Sequence, residues 1–180
     1  MILHQFKLKL VFAGSMGAGK TTAIRTISNI DVLSTEAINT DLEAHQKSLT
    51  TVGIDYGELV LEDGVKVGLY GTPGQQRFNF IWNVITQGAI GVILLIDDSI
   101  DKPLEELEFY LNYFKDKVKN VVIGITHIDK KAKNNAALYH GWAEKQDSTY
   151  PMFFIDAREK NDVLMLVDAL IATAEVQLTV

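Results

Sequence analysis

The chain has 180 residues, which suits one domain with a single sizeable core. Its acidic balance, 17 basic against 23 acidic residues for a net charge of −6 without a basic run, argues against a nucleic-acid partner. It contains no cysteine, which excludes disulfides, thiolate metal sites, prenylation and palmitoylation.

Phe6 to Ala13 alternates and then turns apolar, as a strand entering a core does. Gly14 to Gly19 is a glycine-rich turn, and Lys20 to Ile30 has helix-forming character. Asp31 to Thr50 is polar with little periodicity and reads as a long connection, a class that often carries function. Thr51 to Leu61 and Val65 to Tyr70 read as strands joined by a hairpin turn at Glu62-Asp63-Gly64. Gly71 to Arg77 is a second glycine-containing loop, with a helix expected over Phe78 to Thr86. Ala89 to Ile96 and Val121 to Ile125 are apolar runs of buried-strand length. Between them Leu104, Leu107, Leu111 and Phe114 share one helical face. A weaker helix over Asn134 to Lys145 and a short strand over Met152 to Ile155 follow. Val163, Leu164, Leu166, Val167, Leu170, Ile171 and Ala174 then form an amphipathic stripe.

This alternation predicts an α/β fold. Six strands form a mostly parallel sheet with one antiparallel edge strand, and helices cover both faces. The longest apolar run is too short to span a bilayer. The first apolar stretch runs into the glycine-rich loop, so it reads as a core strand and not a signal peptide. The opening Met1-Ile2-Leu3-His4 carries no myristoylation signal. No integral membrane segment or lipid anchor is expected, and a cytoplasmic location is.

Gly14-Ser15-Met16-Gly17-Ala18-Gly19-Lys20-Thr21 fits G-x-x-x-x-G-K-[ST] in full, between a strand and a helix as a P-loop requires. Such a loop turns backbone N–H groups toward phosphate oxygens, and the helix behind it adds its positive end. These residues and the adjoining Thr22 are the expected nucleotide-phosphate site. Lys20 is to reach the β- and γ-phosphates, and the Thr21 hydroxyl is to bind Mg²⁺. A P-loop alone does not separate GTPases from kinases and ATPases.

The later loops discriminate. Thr50-Thr51-Val52-Gly53-Ile54-Asp55-Tyr56-Gly57 follows the long connection, and Gly71-Thr72-Pro73-Gly74-Gln75-Gln76-Arg77-Phe78 follows the next strand. Thr126-His127-Ile128-Asp129 and Asp156-Ala157-Arg158 follow two more. In order and spacing these resemble the Ras-like small GTPases along nearly the whole chain, and the Gly-Thr-Pro-Gly-Gln wording is similar to a prokaryotic branch related to bacterial polarity and gliding GTPases. The resemblance implies one G domain over residues 1–180, with GTP/GDP and Mg²⁺ as ligands. It implies that Thr51 is the switch I threonine on Mg²⁺, an offset of one residue to Thr50 being open. It makes Gly74 the switch II glycine, its N–H aimed at the γ-phosphate by a Pro73-Gly74 type II turn. Gln75 falls where these enzymes orient the attacking water, or is a solvated first-turn glutamine.

Asp129 can accept from both N1–H and the 2-amino group of guanine, a donor pair that adenine lacks. Thr126 and His127 take the first two places of the family's N-K-x-D, with the imidazole either stacking on the base or remaining at the surface. By resemblance the Ala157 N–H meets guanine O6, and Arg158 replaces the usual lysine. Arg77 reads as a cis arginine finger or as a solvated switch residue. The family's switch II aspartate is absent, with Gly71 in its place. Asp97 and Asp98, at the end of an apolar strand, read as structural, and Trp82, Phe78 and Phe80 as core or switch-side interface. The expected function is a GTP-binding switch that hydrolyses GTP slowly unless stimulated by a partner, a roadblock-type protein by resemblance. The alternatives are a GTP-binding interaction module with negligible hydrolysis and a P-loop small-molecule kinase.

Overall fold

The computed structural model describes residues 8–38, 51–130 and 135–178. Among them, seven strands form one sheet in the order β2-β3-β4-β1-β5-β6-β7: β1 Leu8–Ala13, β2 Leu33–Ile38, β3 Thr51–Val60, β4 Lys66–Gly71, β5 Gly91–Asp97, β6 Val121–Thr126 and β7 Met152–Phe154. The five from β4 to β7 along the sheet are parallel, and β3 runs against both of its neighbours. The helices are α1 Lys20–Ile27, α2 Asn79–Thr86 (after a 3₁₀ turn at Gln76–Phe78), α3 Pro103–Phe114, α4 Ala136–Ala143 and α5 Lys160–Leu178.

Alternation along the central strands divides the core between the two faces of the sheet. Leu10, Phe12, Ile93 and Leu95 pack beneath α1 and α5 against Ile24, Ile27, Val163, Leu166 and Leu170. Val11, Ala13, Val92, Leu94 and Ile96 face the other way, against Trp82, Leu107, Tyr110, Phe114 and Trp142 of α2, α3 and α4. β5 is buried along its whole length, which is why it reads as an unbroken apolar run. Each fully buried aliphatic side chain contributes roughly 1.5–3 kcal/mol, so this two-faced core dominates the stability of the sheet.

The sheet has one strand more than the six expected. β2 lies inside the stretch read as a connection and pairs with β3 from Leu33↔Tyr56 to Ile38↔Thr51. It is an edge strand whose Leu33 is 57% exposed, so no core demanded an apolar pattern from it. The remainder of that connection, residues 39–50, lies outside the described residues.

The chain leaves β1 toward one edge of the sheet and crosses back to β5 on its other side. The loop after β1 therefore sits where the winding reverses, the place where open α/β sheets bind ligands. The loops after β4, β5, β6 and β7 open at the same end of the sheet.

Candidate nucleotide site

The loop between β1 and α1 takes a path open only to glycine at its first position. Gly14 has φ +143°, and a Cβ there would stand 2.2 Å from the Leu95 carbonyl oxygen. Gly19, with φ 99°, caps α1. Lys20 is 8% exposed, and its Nζ donates to the carbonyls of Gly14 at 2.8 Å and Ser15 at 2.6 Å. Burial pushes the ammonium down to about 8, against the opposing pull of Asp55 and Glu106. Met16 and Gly17 are exposed at the loop's tip, and Ala18 is buried behind it.

A cleft of ≈ 450 Å³ opens over this loop, lined among others by Met16, Lys20, Thr21, Asp55, Gly74 and Gln75. A second, of ≈ 510 Å³, extends between the loops after β6 and β7 and is lined by Asp129, Asp156, Ala157 and Arg158. Gly19, Thr22 and His127 border both, so the two are lobes of one groove, one polar toward the P-loop and one walled by two later loops.

The segment after β4 closes one side of the first lobe. Trp82 is fully buried; its indole donates to the Pro73 carbonyl at 2.8 Å, and the Tyr110 hydroxyl lies 3.2 Å from that of Gly74. Gly74 lies against the P-loop backbone, where a Cβ would stand 2.3 Å from the Met16 nitrogen. The expected type II turn is not formed, because Gly74 is not among the glycines with positive φ. Its side chain is excluded by close approach to the P-loop, a demand that the sequence does not distinguish from a turn requirement. Gln75 lines the lobe, and its Oε1 accepts from Arg77 Nε at 2.7 Å. Arg77 is exposed, lies over the Phe78 ring at 4.9 Å and does not line the cleft, so it reaches the lobe only through Gln75. Phe78 is buried and Phe80 is 56% exposed.

The second lobe is assembled by ties between loops. Thr126 is buried, and its hydroxyl lies within bonding distance of the carbonyls of Ala18 (2.9 Å) and Ile96 (3.2 Å), so it joins the P-loop to β6. His127 turns the chain with φ 56°, a left-handed conformation that histidine adopts more readily than most residues. Its Nδ1 sits 3.2 Å from both Asp97 Oδ1 and Thr126 Oγ1, which places the ring at the junction of the lobes. Asp129 is exposed, with Oδ2 3.3 Å from Arg158 Nη2. Arg158 also grips Asp156 through Nε and Nη2, and its hydrogen bond holds that carboxyl at about 2. Ala157 is buried, and its carbonyl accepts from Thr26 of α1 at 2.8 Å.

Two carboxylates that the motif reading did not assign stand near the P-loop. Asp55, on β3, accepts the Thr21 hydroxyl on Oδ2 and that of Ser34 at 2.6 Å on Oδ1. Glu106, on α3, has its carboxyl pushed up by burial, against a hydrogen bond from Ser15. Glu106 reads in the sequence as an ordinary first-turn acid; the signals for Asp55 are an acid interrupting a strand and a hairpin turn at 62–64 that sets it opposite Gly71. Thr51 opens β3, paired with Ile38 and four residues from Asp55, about 13 Å along the strand. Its side chain lies outside the described residues, as does all of Thr50. Asp97 is taken up by its own turn, with Oδ1 accepting from the Ser99 N–H at 2.8 Å and its hydroxyl at 2.5 Å. Asp98 accepts from Asn135 and Tyr139, so both act as structural ties. No helix among the described residues is long and apolar enough to cross a membrane.

No protein-family model matches the chain. It is 25% identical to the Ras-related protein Rab-8B of Bos taurus over 167 residues, 89% of this chain and 73% of the relative. It is 27% identical to the Ras-related protein Rab-13 of Rattus norvegicus over the same share of this chain, 89%, and 74% of that protein. An uncharacterized protein of Methanocaldococcus jannaschii is 34% identical over 103 residues, 56% of this chain and 59% of that one. Among solved structures, the G domain of the T. maritima FeoB iron transporter is similar with a TM-score of 0.65 at 18% identity, over 93% of this chain and 99% of that one, a likeness of fold.

Proposed function

We propose, from the premise that this chain is a Ras-like P-loop G domain in sequence and fold, that it binds GTP and GDP with Mg²⁺ and hydrolyses GTP slowly as a partner-controlled switch. The observation that carries the reading is the two-lobed groove, with Lys20 in one lobe and Asp129 in the other, joined at Gly19, Thr22 and His127.

The lobes divide the work. Lys20 is already desolvated and rests on the carbonyls of Gly14 and Ser15, so a polyphosphate entering the loop offers it the partner that burial has withdrawn. Gly74 lies against the loop, where its N–H can meet a terminal phosphate. His127 forms a wall where a base would leave the phosphate lobe, and Asp129 supplies the acceptor pair for N1–H and the 2-amino group of guanine. Arg158 keeps Asp129 from facing an empty groove unpaired. Thr21 contributes a hydroxyl oxygen, a hard donor suited to Mg²⁺, which characteristically takes few protein ligands and keeps phosphates and waters. When bound, Mg²⁺ would neutralise charge on the phosphate oxygens. Gln75, beside the lobe, is the group to orient a water.

Gln75 engaged by Arg77 favours slow hydrolysis without a partner. Phe80 and Val84 are exposed on α2, the helix that follows that pair in the chain, and offer an apolar surface to an activator, of roadblock type by resemblance, in the cytoplasm. The test is competition of GTP, GDP, ATP and ADP against a fluorescent guanine nucleotide, followed by single-turnover hydrolysis. Guanine selectivity with slow turnover is the expected result. Equal competition by adenine nucleotides overturns the guanine assignment, and fast turnover of the isolated protein overturns the need for a partner.

A further inference from the structure

The Thr21 hydroxyl, the motif's metal ligand, donates to Asp55 Oδ2 from the strand beside Gly71. We infer that Asp55 supplies the Mg²⁺-organising carboxylate of this site, replacing the acid absent at Gly71, and that residue 71 is glycine so that Asp55 fits. The inference rests on the nucleotide-binding reading above.

The sheet register places this carboxylate. In the antiparallel ladder Asp55 stands opposite Gly71, so their side chains share one face of the sheet. A Cβ on residue 71 would lie 3.1 Å from Asp55 Cβ, 3.4 Å from its Oδ2 and 3.1 Å from Ile24 Cδ1. Those distances are tighter than side chains ordinarily accept, so a second carboxylate beside the first would crowd Asp55 and Ile24. In this chain the acid that projects into this space comes from β3, opposite a residue without a side chain on β4.

The surroundings suit the role. Asp55 lines the phosphate lobe with Lys20 and Thr21, and its charge acts on the Lys20 ammonium. Ser34 fixes its other oxygen at 2.6 Å, so the carboxylate is oriented from α1 on one side and β2 on the other. A hydroxyl and a carboxylate oxygen form a hard donor pair of the kind Mg²⁺ takes, directly or through water, alongside phosphate. Asp97 is committed to Ser99 and His127, and Glu106 approaches from α3 toward Ser15. Asp55 alone among these acids accepts from Thr21.

The test is Mn²⁺ binding followed by electron paramagnetic resonance, on the full chain loaded with GDP and, in parallel, with inorganic tripolyphosphate. Asp55→Asn, nearly isosteric, should weaken Mn²⁺ about 10–100-fold in both series, while GDP in excess EDTA binds no more weakly than to the unaltered protein, since a charge of the same sign as the phosphates is lost. Gly71→Ala should weaken Mn²⁺ in the same direction by crowding Asp55, which provides a second reading if Asp55→Asn fails to fold. Unchanged Mn²⁺ affinity in folded Asp55→Asn overturns the inference. If GDP does not bind the unaltered protein, the nucleotide reading fails by itself, and the tripolyphosphate series still decides the role of Asp55.

Discussion

Arg158 bridges the two acids that flank the second lobe: its guanidinium clasps Asp156, and its Nη2 reaches Asp129 Oδ2 at 3.3 Å. The residue proposed to read the base is thus paired while the groove is empty. The pair is largely exposed, so its own worth is small, and a base offering two N–H donors competes with it readily.

Asp129→Asn tests that exchange. The amide offers one acceptor and one donor group where guanine presents two donors, so affinity for GDP should fall by about 2–3 kcal/mol, the scale of one charged hydrogen bond lost. Xanthine nucleotides, which present an acceptor at the 2-position, should gain in relative affinity. Isothermal titration with GDP and xanthosine diphosphate gives both numbers. An unchanged preference for guanine would remove Asp129 from the base site.

Lys20 gives a pH signature. Its folded-state value, about 8, lies below the ordinary lysine value of 10.5 because burial penalises the charged form. For this group the empty protein therefore gains stability as pH rises between those values, where the unfolded chain binds more protons. A bound polyphosphate restores the charged form. At pH 8, binding of GDP should then take up about half a proton, and affinity should fall as pH rises further. Calorimetry in buffers of different ionisation enthalpy measures the uptake. Lys20→Arg, with a guanidinium that stays charged, should show none.

The central fold was legible in the sequence because buried strands and amphipathic helices carry their pattern in apolar residues. β5 and the α5 stripe are the plainest cases. β2 was not legible, since an exposed edge strand such as the one around Leu33 and Ser34 needs only backbone partners. The P-loop, Thr126, His127, Asp129 and Arg158 stand together because motif spacing follows strand ends. Asp55 escaped the motif reading because its place depends on lateral register: Asp55↔Gly71 joins residues on different strands, a pairing that the hairpin turn at Glu62-Asp63-Gly64 sets but that no linear motif states. Gly74 was legible as an obligatory glycine, but the reason is the Met16 backbone and not a turn.

Trp82 should govern the loop after β4. Its ring lies among Tyr110, Tyr113 and Phe114 at centroid distances of 5.1, 5.0 and 5.8 Å, and its N–H holds the Pro73 carbonyl. Trp82→Phe keeps an aromatic ring but leaves that carbonyl unpaired and a small void behind it, costing roughly 1–3 kcal/mol. Chemical denaturation measures the loss, and hydrogen exchange at Thr72 to Gln75 should accelerate more than at β5. Uniform acceleration would show Trp82 to be core packing alone.

The last expectation concerns Gln75 and Arg77. Arg77 Nε donates to Gln75 Oε1 at 2.7 Å, so the glutamine that would orient water has its carbonyl occupied by a neighbour. Phosphoryl transfer relies on positioning and charge stabilisation, and a glutamine held this way contributes little until it is released. A partner that docks on the exposed Phe80 and Val84 and displaces Arg77 would free Gln75 for water and bring a guanidinium toward the γ-phosphate. Completion of related sites by an arginine accelerates hydrolysis by roughly 10³–10⁵. Gln75→Ala should therefore remove the stimulated rate while changing GTP affinity little. Arg77→Ala should separate two possibilities, because it breaks the restraint and removes the charge together. If restraint dominates, the variant hydrolyses faster than the unaltered protein when alone. If the charge dominates, it loses stimulation and its basal rate stays as it was. Single-turnover rates with and without an activating partner read both, and a Gln75→Ala variant with full stimulated turnover would show that another group orients the water.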